Sequence, residues 1–358
     1  MYEVTTQVKS RRSTFRVVVA LAVVFSMAFA AALLLAPAAE ARKARKIAEL
    51  KQARMPVPLY SAGAQTDGEV LYLSRVGFSG LGQIAAFDVP SGALLRMNTA
   101  MPGMFFDLTY DKERDRLYVS DGSWVYAYNA QDLSFAGFID VGASIASLAV
   151  EPSTGRLFAG VRGLGIEGDR AVFVFDPNSG AKIAEIAHGA VYATNLAVDR
   201  AGLPRVLVGE HGRIRVFDAV NLEVVADIVS PLAASDSFYE LMGNKVYVAG
   251  KRTEVVSLLD VSTGEILDSA TVGFASAIAL DRKGTKLWVA HRKSGSACEP
   301  GTQTCPYVLS ALNAKKLDLV GVGSEEILDY SYPQYHRVTV VGKRAVFTAF
   351  RSEHAVIS

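Results

Sequence analysis

The chain has 358 residues, of which 50% are hydrophobic and 20% are charged, and its formal net charge is +1. Half of the residues can therefore contribute to a large buried core. A net charge this close to zero lacks the clearly basic surface of nucleic-acid-binding domains, so we expect no nucleic-acid partner.

The N-terminal part of the chain has the pattern of a membrane-targeting segment. Residues 1–16 form a short basic tail, and residues 17–36 form an apolar run long enough to cross a bilayer as a helix. We predict a transmembrane signal-anchor helix over residues 17–39. The alternative is a cleaved signal peptide, whose cleavage site would be the Ala39-Glu-Ala41 triplet after Pro37.

Residues 40–56 are rich in strong helix formers of mixed charge, and we predict a charged helical stalk leading to a domain at residues 57–358. Basic residues lie on both sides of the apolar run. A positive-inside count places the domain in the cytoplasm, because more basic residues follow the run than precede it. The two cysteines of the chain indicate the opposite orientation.

The chain contains two cysteines, Cys298 and Cys305, which lie close together in one loop. A pair of this kind is typical of a disulfide that staples a loop in an oxidising compartment. The alternative is two unpaired surface thiols. We therefore expect a periplasmic or extracellular domain held to the membrane by a single span, or a secreted one if the signal is cleaved.

A short apolar strand of the Leu-Tyr-Val type recurs seven times in this domain, about every 40 to 50 residues, which is typical of arrays and propellers. The copies are Val70–Ser74, Arg116–Ser120, Arg156–Gly160, Arg205–Gly209, Lys245–Ala249, Lys286–Ala290 and Arg344–Thr348. Each unit contains four predicted strands separated by polar turns. The repeat therefore predicts an all-β fold, a seven-bladed β-propeller. The predicted N-terminal transmembrane helix precedes it.

The ends of the domain leave blade 7 one strand short. The chain stops at Ser358, within the third strand of blade 7. Two arrangements are open: blade 7 has three strands, or residues 55–60 supply its outer strand and close the ring.

Two phrases carry a family resemblance. Arg116-Leu-Tyr-Val-Ser-Asp121 and Leu259-Asp-Val-Ser-Thr-Gly264 resemble the repeats of YVTN-type seven-bladed propellers. That superfamily includes methylamine dehydrogenase heavy chains and lactonase-like proteins. The resemblance covers about residues 57–358 and implies the propeller fold, whereas its motifs are structural and assign no catalytic residue.

Charged residues begin the loops that follow the second strand of each blade. Propeller topology places these loops and the connections between blades on one face, which we call the loop face. Its basic candidates are Arg75, Arg162, Lys251, Arg252, Arg292 and Arg351. They predict a basic ring that would bind a small anionic ligand or an acidic protein surface. The alternative is the ordinary charge content of exposed loops.

Two further segments of the loop face are candidates for recognition. The longest insertion, residues 292–306, contains both cysteines, and a loop of this length is often functional. Residues 329–336 contain Tyr330, Tyr332, Tyr335 and His336, which could line a ligand pocket or simply occupy a strand.

Histidines are the weak catalytic candidates: His211, His291 and His336 could converge from different blades. None of the five histidines has metal-ligand spacing, and no haem-attachment motif occurs. We therefore predict no metal and no cofactor. The favoured function is that of a membrane-anchored, extracytoplasmic module that binds a protein or ligand or acts as a scaffold, as an accessory subunit of a membrane complex. The alternative is a lactonase-like or lyase-like enzyme, or the heavy chain of a quinoprotein amine dehydrogenase-like redox complex.

Overall fold

The chain divides into two compact units, Met1–Lys46 and Ile47–Ser358. The computed structural model describes parts of the second unit, namely residues 48–50, 53–57, 61–76, 81–98, 101–161, 171–187, 195–210, 212–233, 237–250, 253–292, 304–324, 326–330, 337–341, 344–349 and 354–358. The predicted basic tail and membrane segment lie outside these residues. Within the described ranges, no helix has the length and apolarity needed to span a membrane.

Seven β-sheets, one for each repeat, form a closed ring in the described part of the chain. The first strand of each sheet contacts the first strands of the two adjacent sheets, and the seventh contacts the first. These inner strands are β3 (Ser61–Asp67), β8 (Leu108–Asp111), β12 (Ile145–Val150), β16 (Asn195–Val198), β20 (Phe238–Met242), β24 (Ala275–Leu280) and β29 (Arg337–Val341). The predicted seven-bladed β-propeller is confirmed.

The second strand of every blade carries the Leu-Tyr-Val phrase. These strands are β4 (Val70–Val76), β9 (Arg116–Asp121), β13 (Leu157–Val161), β17 (Arg205–Glu210), β21 (Lys245–Ala249), β25 (Lys286–Arg292) and β30 (Arg344–Thr348). Leu117, Tyr118 and Val119 of β9 are each 0% exposed. The phrase is apolar at consecutive positions because neighbouring blades cover both faces of each sheet.

The third strands pair antiparallel with the second strands. They are β5 (Leu81–Asp88), β10 (Trp124–Asn129), β14 (Ala171–Phe175), β18 (Arg213–Asp218), β22 (Val255–Asp260), β26 (Thr304–Asn313) and β31 (His354–Ile357). Turns after these strands are built by a side chain: Asp260 Oδ1 accepts hydrogen bonds from the N–H groups of Ser262 and Thr263 at 2.8 and 3.0 Å. Gly264 completes that turn with a φ of 73°, which a residue with a Cβ adopts only under strain.

The outer strands of blades 1 to 6 are β6 (Leu94–Met97), β11 (Phe135–Asp140), β15 (Lys182–Ala187), β19 (Val224–Val229), β23 (Ile266–Thr271) and β27 (Leu319–Gly323). Each pairs antiparallel with its third strand and has a register shift at one end. Two short strands add to this pattern: β7 (Met101–Pro102) pairs with β5, and β28 (Ile327–Tyr330) pairs with β26.

The N-terminal residues of the described chain close the ring. β2 (Ala53–Pro56) pairs antiparallel with β31 and is the outer strand of blade 7. This confirms the second of the two predicted closures, although the strand begins at Ala53 and not at Met55.

A further strand, β1 (Ala48–Leu50), pairs parallel with β27 and gives blade 6 a fifth strand in its row. The helical stalk predicted over residues 40–56 is therefore wrong for β1 and β2. Local helix propensity is weak, and the open backbone of two sheet edges offers these segments a ladder of hydrogen bonds instead.

Candidate functional site

The inner strands enclose a cavity of about 850 Å³, lined by residues of all seven blades. Its lining includes both apolar and polar side chains. The polar lining consists of threonine, serine and asparagine side chains and two ion pairs. This cavity is the central channel of the propeller.

One ion pair lies where the inner strands begin. Arg337 donates from Nη2 to Asp107 Oδ1 at 3.3 Å, and Asp107 Oδ2 accepts a hydrogen bond from the N–H of Leu148 at 2.8 Å. Blade 1 lies between the blades of Arg337 and Asp107, so this contact reaches past one blade. Sequence reasoning missed both residues, although Arg337 directly follows the Tyr-rich segment that it singled out.

The second ion pair joins Arg200, which follows β16, to Glu240 in the middle of β20. Arg200 donates from Nε and Nη2 to the two carboxylate oxygens of Glu240, each at 2.9 Å. The negative charge of Glu240 raises the pKa of the Arg200 guanidinium. Each arginine that lines the described part of the channel thus faces a carboxylate.

The predicted basic ring can be followed at two positions. Arg75 is the penultimate residue of β4 and donates from Nη1 to Gln83 Oε1 at 2.8 Å. Arg292 ends β25, and its guanidinium lies 4.5 Å from the centroid of the Phe274 ring. The other members, Arg162, Lys251, Arg252 and Arg351, lie outside the described residues. The basic ring stays a prediction.

The structure brings the cysteine insertion and the Tyr-rich segment together. The first residues of β26 pair with β28, so that Thr304 lies opposite Tyr330 and Cys305 opposite Asp329. The remainder of β26 pairs with β27 in the body of blade 6. Two candidate segments that are separate in sequence therefore form one two-stranded extension on the loop face. Tyr332 and Tyr335 lie outside the described residues.

Cys305 is buried, with 3% exposure, and packs in a core cluster with Val338 and Phe347 of blade 7. No described cysteine is a free thiol. Its predicted disulfide partner, Cys298, lies outside the described residues. The packing of Cys305 fixes the extension to blade 7, and the pairing of β26 with β27 fixes it to blade 6.

His291 lies inside blade 6 and is 6% exposed. Its Nδ1 is 3.0 Å from the carbonyl oxygen of Arg292, and its Nε2 is 2.8 Å from Ser310 Oγ. A carbonyl oxygen can only accept, so Nδ1 carries the proton and Nε2 accepts from the serine hydroxyl. Burial lowers the pKa of His291. Both ring nitrogens are occupied, so the geometry gives this candidate a structural role.

The other two catalytic candidates, His211 and His336, lie outside the described residues, so the convergence of the three histidines stays a prediction. Within the described part of the chain, no three side chains of the histidine, cysteine, aspartate or glutamate type are grouped in a way that could hold a metal ion.

Comparison with known proteins shows the fold. Neither a protein-family model nor a curated protein matches the sequence. The structure is similar to the WD40 repeats of RRP9, with a TM-score of 0.66, 13% identity and coverage of 87% of this chain and 98% of that chain. It is also similar to the β-propeller domain of Cps50 (Swd1) from Myceliophteria thermophila, with a TM-score of 0.63, 11% identity and coverage of 84% and 96%. These likenesses support the seven-bladed propeller, and the YVTN-type family stays a prediction.

Proposed function

We propose that this chain is a membrane-anchored, extracytoplasmic propeller that binds a partner through the loop face of blades 6 and 7, as an accessory subunit of a membrane complex. The observation that carries the proposal is the two-stranded extension formed by β26 and β28. An ordered extension loses less conformational entropy on binding than a free loop does. It stands beside Arg292, whose guanidinium offers charge and hydrogen-bond donors.

Acidic surface on the partner, or a small anionic ligand, is the chemistry that the loop face would recognise. The test is affinity purification of the full chain from solubilised membranes, comparing the wild type with the double variant Arg75→Glu, Arg292→Glu. Arg282→Glu with Lys283→Glu is the matched control, because these residues make the same charge change in the turn after β24, on the opposite face. The proposal expects a stoichiometric partner that the loop-face variant loses and the control keeps.

Recovery of the chain alone at several salt concentrations would contradict the subunit role. Equal loss of the partner in both double variants would contradict the loop face as its binding surface.

The membrane anchor is supported by the apolar run at residues 17–36. Extraction of membranes at alkaline pH should leave the chain in the pellet, and protease added outside the cytoplasm should digest the domain. Release of the chain into the supernatant would contradict the anchor. Cleavage of the domain only after the membrane is opened would contradict the orientation.

An extracytoplasmic site is supported by the proposed disulfide between Cys298 and Cys305, since structural disulfides persist in oxidising compartments. Cys305 is not a free thiol, and Cys298 is the one other cysteine of the chain. Thiol labelling of the denatured chain should require prior reduction. Labelling without reductant would rule out the disulfide.

Membership of the YVTN-type propeller family is proposed on the phrases of β9 and of the turn after β22. A set of homologous sequences should keep both phrases at the same blade positions. Homologues that keep the blades but replace the phrases would contradict the family assignment.

A further inference from the structure

The outer edge of blade 2 exposes three aromatic side chains. Phe135 and Phe138 of β11 are 48% and 57% exposed, and Trp124 of β10 is 37% exposed. The rings of Trp124 and Phe138 are in edge-to-face contact, with centroids 5.2 Å apart. We call these three residues the aromatic patch. Among the described strands, none pairs with the outer side of β11.

The same register position is polar in the next three blades. Phe138 lies opposite Tyr126, just before the register shift of blade 2. The corresponding outer-strand residues of blades 3, 4 and 5 are Glu185, Asp227 and Ser269. Glu185 and Asp227 are in ion pairs at 3.2 and 3.0 Å. Charged residues on an outer strand oppose pairing with another sheet edge, and blade 2 has an aromatic ring at this position instead.

Two other blades have an apolar residue at this position: Met97 in blade 1, where no described strand pairs with the outer edge, and Val322 in blade 6. Blade 6 is the one of these two whose outer edge is occupied. Its corresponding residue is Val322, and β1 pairs with the outer edge of the strand there, with Glu49 opposite Val322. The outer edge of a blade in this molecule can therefore accept a further strand.

The backbone of β11 is oriented for such pairing. The N–H of Val141 donates to the carbonyl of Ser123 at 2.9 Å, so this residue pair bonds across β10 and β11. Along an antiparallel strand, every second residue directs its N–H and C=O groups toward the same neighbouring strand. Ile139 therefore also bonds inward, while Phe138 and Asp140 direct their N–H and C=O groups toward the open edge.

We propose that this edge is a dimer interface, in which β11 of a second copy of the chain pairs antiparallel with β11 about a two-fold axis at Phe138. The pairing is self-complementary, as an isologous interface requires. The two Phe138 rings lie side by side, each next to a Trp124. The single charge of the strand, Asp140, falls at opposite ends of the two-stranded ladder, so like charges do not face each other.

Co-purification of two differently tagged full chains, expressed together and solubilised from membranes, tests the proposal. The wild type should recover its second copy. Phe138→Asp should lower that recovery about tenfold or more, because a carboxylate would be buried against aromatic rings. Ser269→Asp is the matched control and should recover as much as the wild type, since it puts the same charge at the same register position of blade 5.

Tryptophan fluorescence gives an independent readout, because the chain has two tryptophans and the other, Trp288, is 2% exposed. Emission should shift to shorter wavelength as the concentration of full chain rises, and Trp124→Phe should abolish the shift. A cooperative thermal unfolding transition of Phe138→Asp would show that the variant is folded, and its midpoint should lie below that of the wild type because association stabilises the dimer.

Three results would overturn the dimer. The wild type could fail to recover a second copy, Phe138→Asp could recover as much as Ser269→Asp, or Trp124 could be quenched by brominated phospholipid in nanodiscs that hold a single chain. The last result would make the aromatic patch a lipid-facing surface. The Arg75→Glu, Arg292→Glu variant should still recover its second copy, so failure of the loop-face proposal and failure of the dimer are separate outcomes.

Discussion

His291 should make the propeller less stable at mildly acidic pH, and the size of the effect follows from its environment. Burial disfavours the charged ring in the folded protein and so lowers the pKa of His291. The unfolded chain binds a proton with a pKa of about 6.5. Below that pH the unfolded state therefore binds more protons than the folded state, and stability falls as pH falls. If the folded ring is still neutral at pH 5.5, the loss is about 1.4 kcal/mol, one pH unit below the unfolded pKa.

The assay compares thermal unfolding midpoints at pH 7.5 and pH 5.5. A loss of this size corresponds to about 2–4 °C for a large domain. His291→Asn keeps a donor for the Arg292 carbonyl but cannot titrate, so it should be less stable at both pH values and lose less between them. His211→Gln, which leaves His291 intact, should retain the wild-type difference. An unchanged pH difference in His291→Asn would refute the reasoning.

Three further substitutions probe the ring. Gly209→Ala should cost about 1–3 kcal/mol, because its Cβ would overlap the Tyr239 ring, and a Tyr239→Ala background should remove that cost when unfolding midpoints are compared. Met55→Pro should weaken the pairing of β2 with β31, which amide hydrogen exchange at Ala355, opposite Met55, would report as faster exchange while blade 3 stays unchanged. Asp107→Ala should cost about 1–3 kcal/mol by removing the acceptor of the Leu148 N–H, and Asp107→Asn should restore part of that loss in the same thermal assay.

The blades could be predicted from sequence because each repeat is a local signal. The Leu-Tyr-Val strand is apolar at consecutive positions, and the turn after the third strand is encoded by one aspartate and one glycine, as at Asp260 and Gly264. The strands at Ala48–Leu50 and Ala53–Pro56 had no such signal. Their sequence favours a helix locally, and partners about 300 residues away decide their conformation.

The candidate site could be predicted only in part, for the same reason. The position of His291 at the end of a strand next to a loop indicated a catalytic candidate. In the structure it contacts Ser310 of the adjacent strand, and no local sequence pattern predicts that contact. The pair of Arg337 and Asp107 depends on two blades that are not neighbours. The exposure of Phe138 could not be predicted from sequence either, because aromatic residues in strands are usually expected to be buried.

The long strand β26 links the two features on which the proposed function depends. It has 10 residues. Its first part carries the loop-face extension through β28, and its later part pairs with β27, whose outer edge holds β1. The candidate binding extension and β1 therefore belong to one continuous sheet. A partner held at the loop face would be connected to β1 by hydrogen-bonded strands, so its orientation relative to β1 would be fixed by the fold.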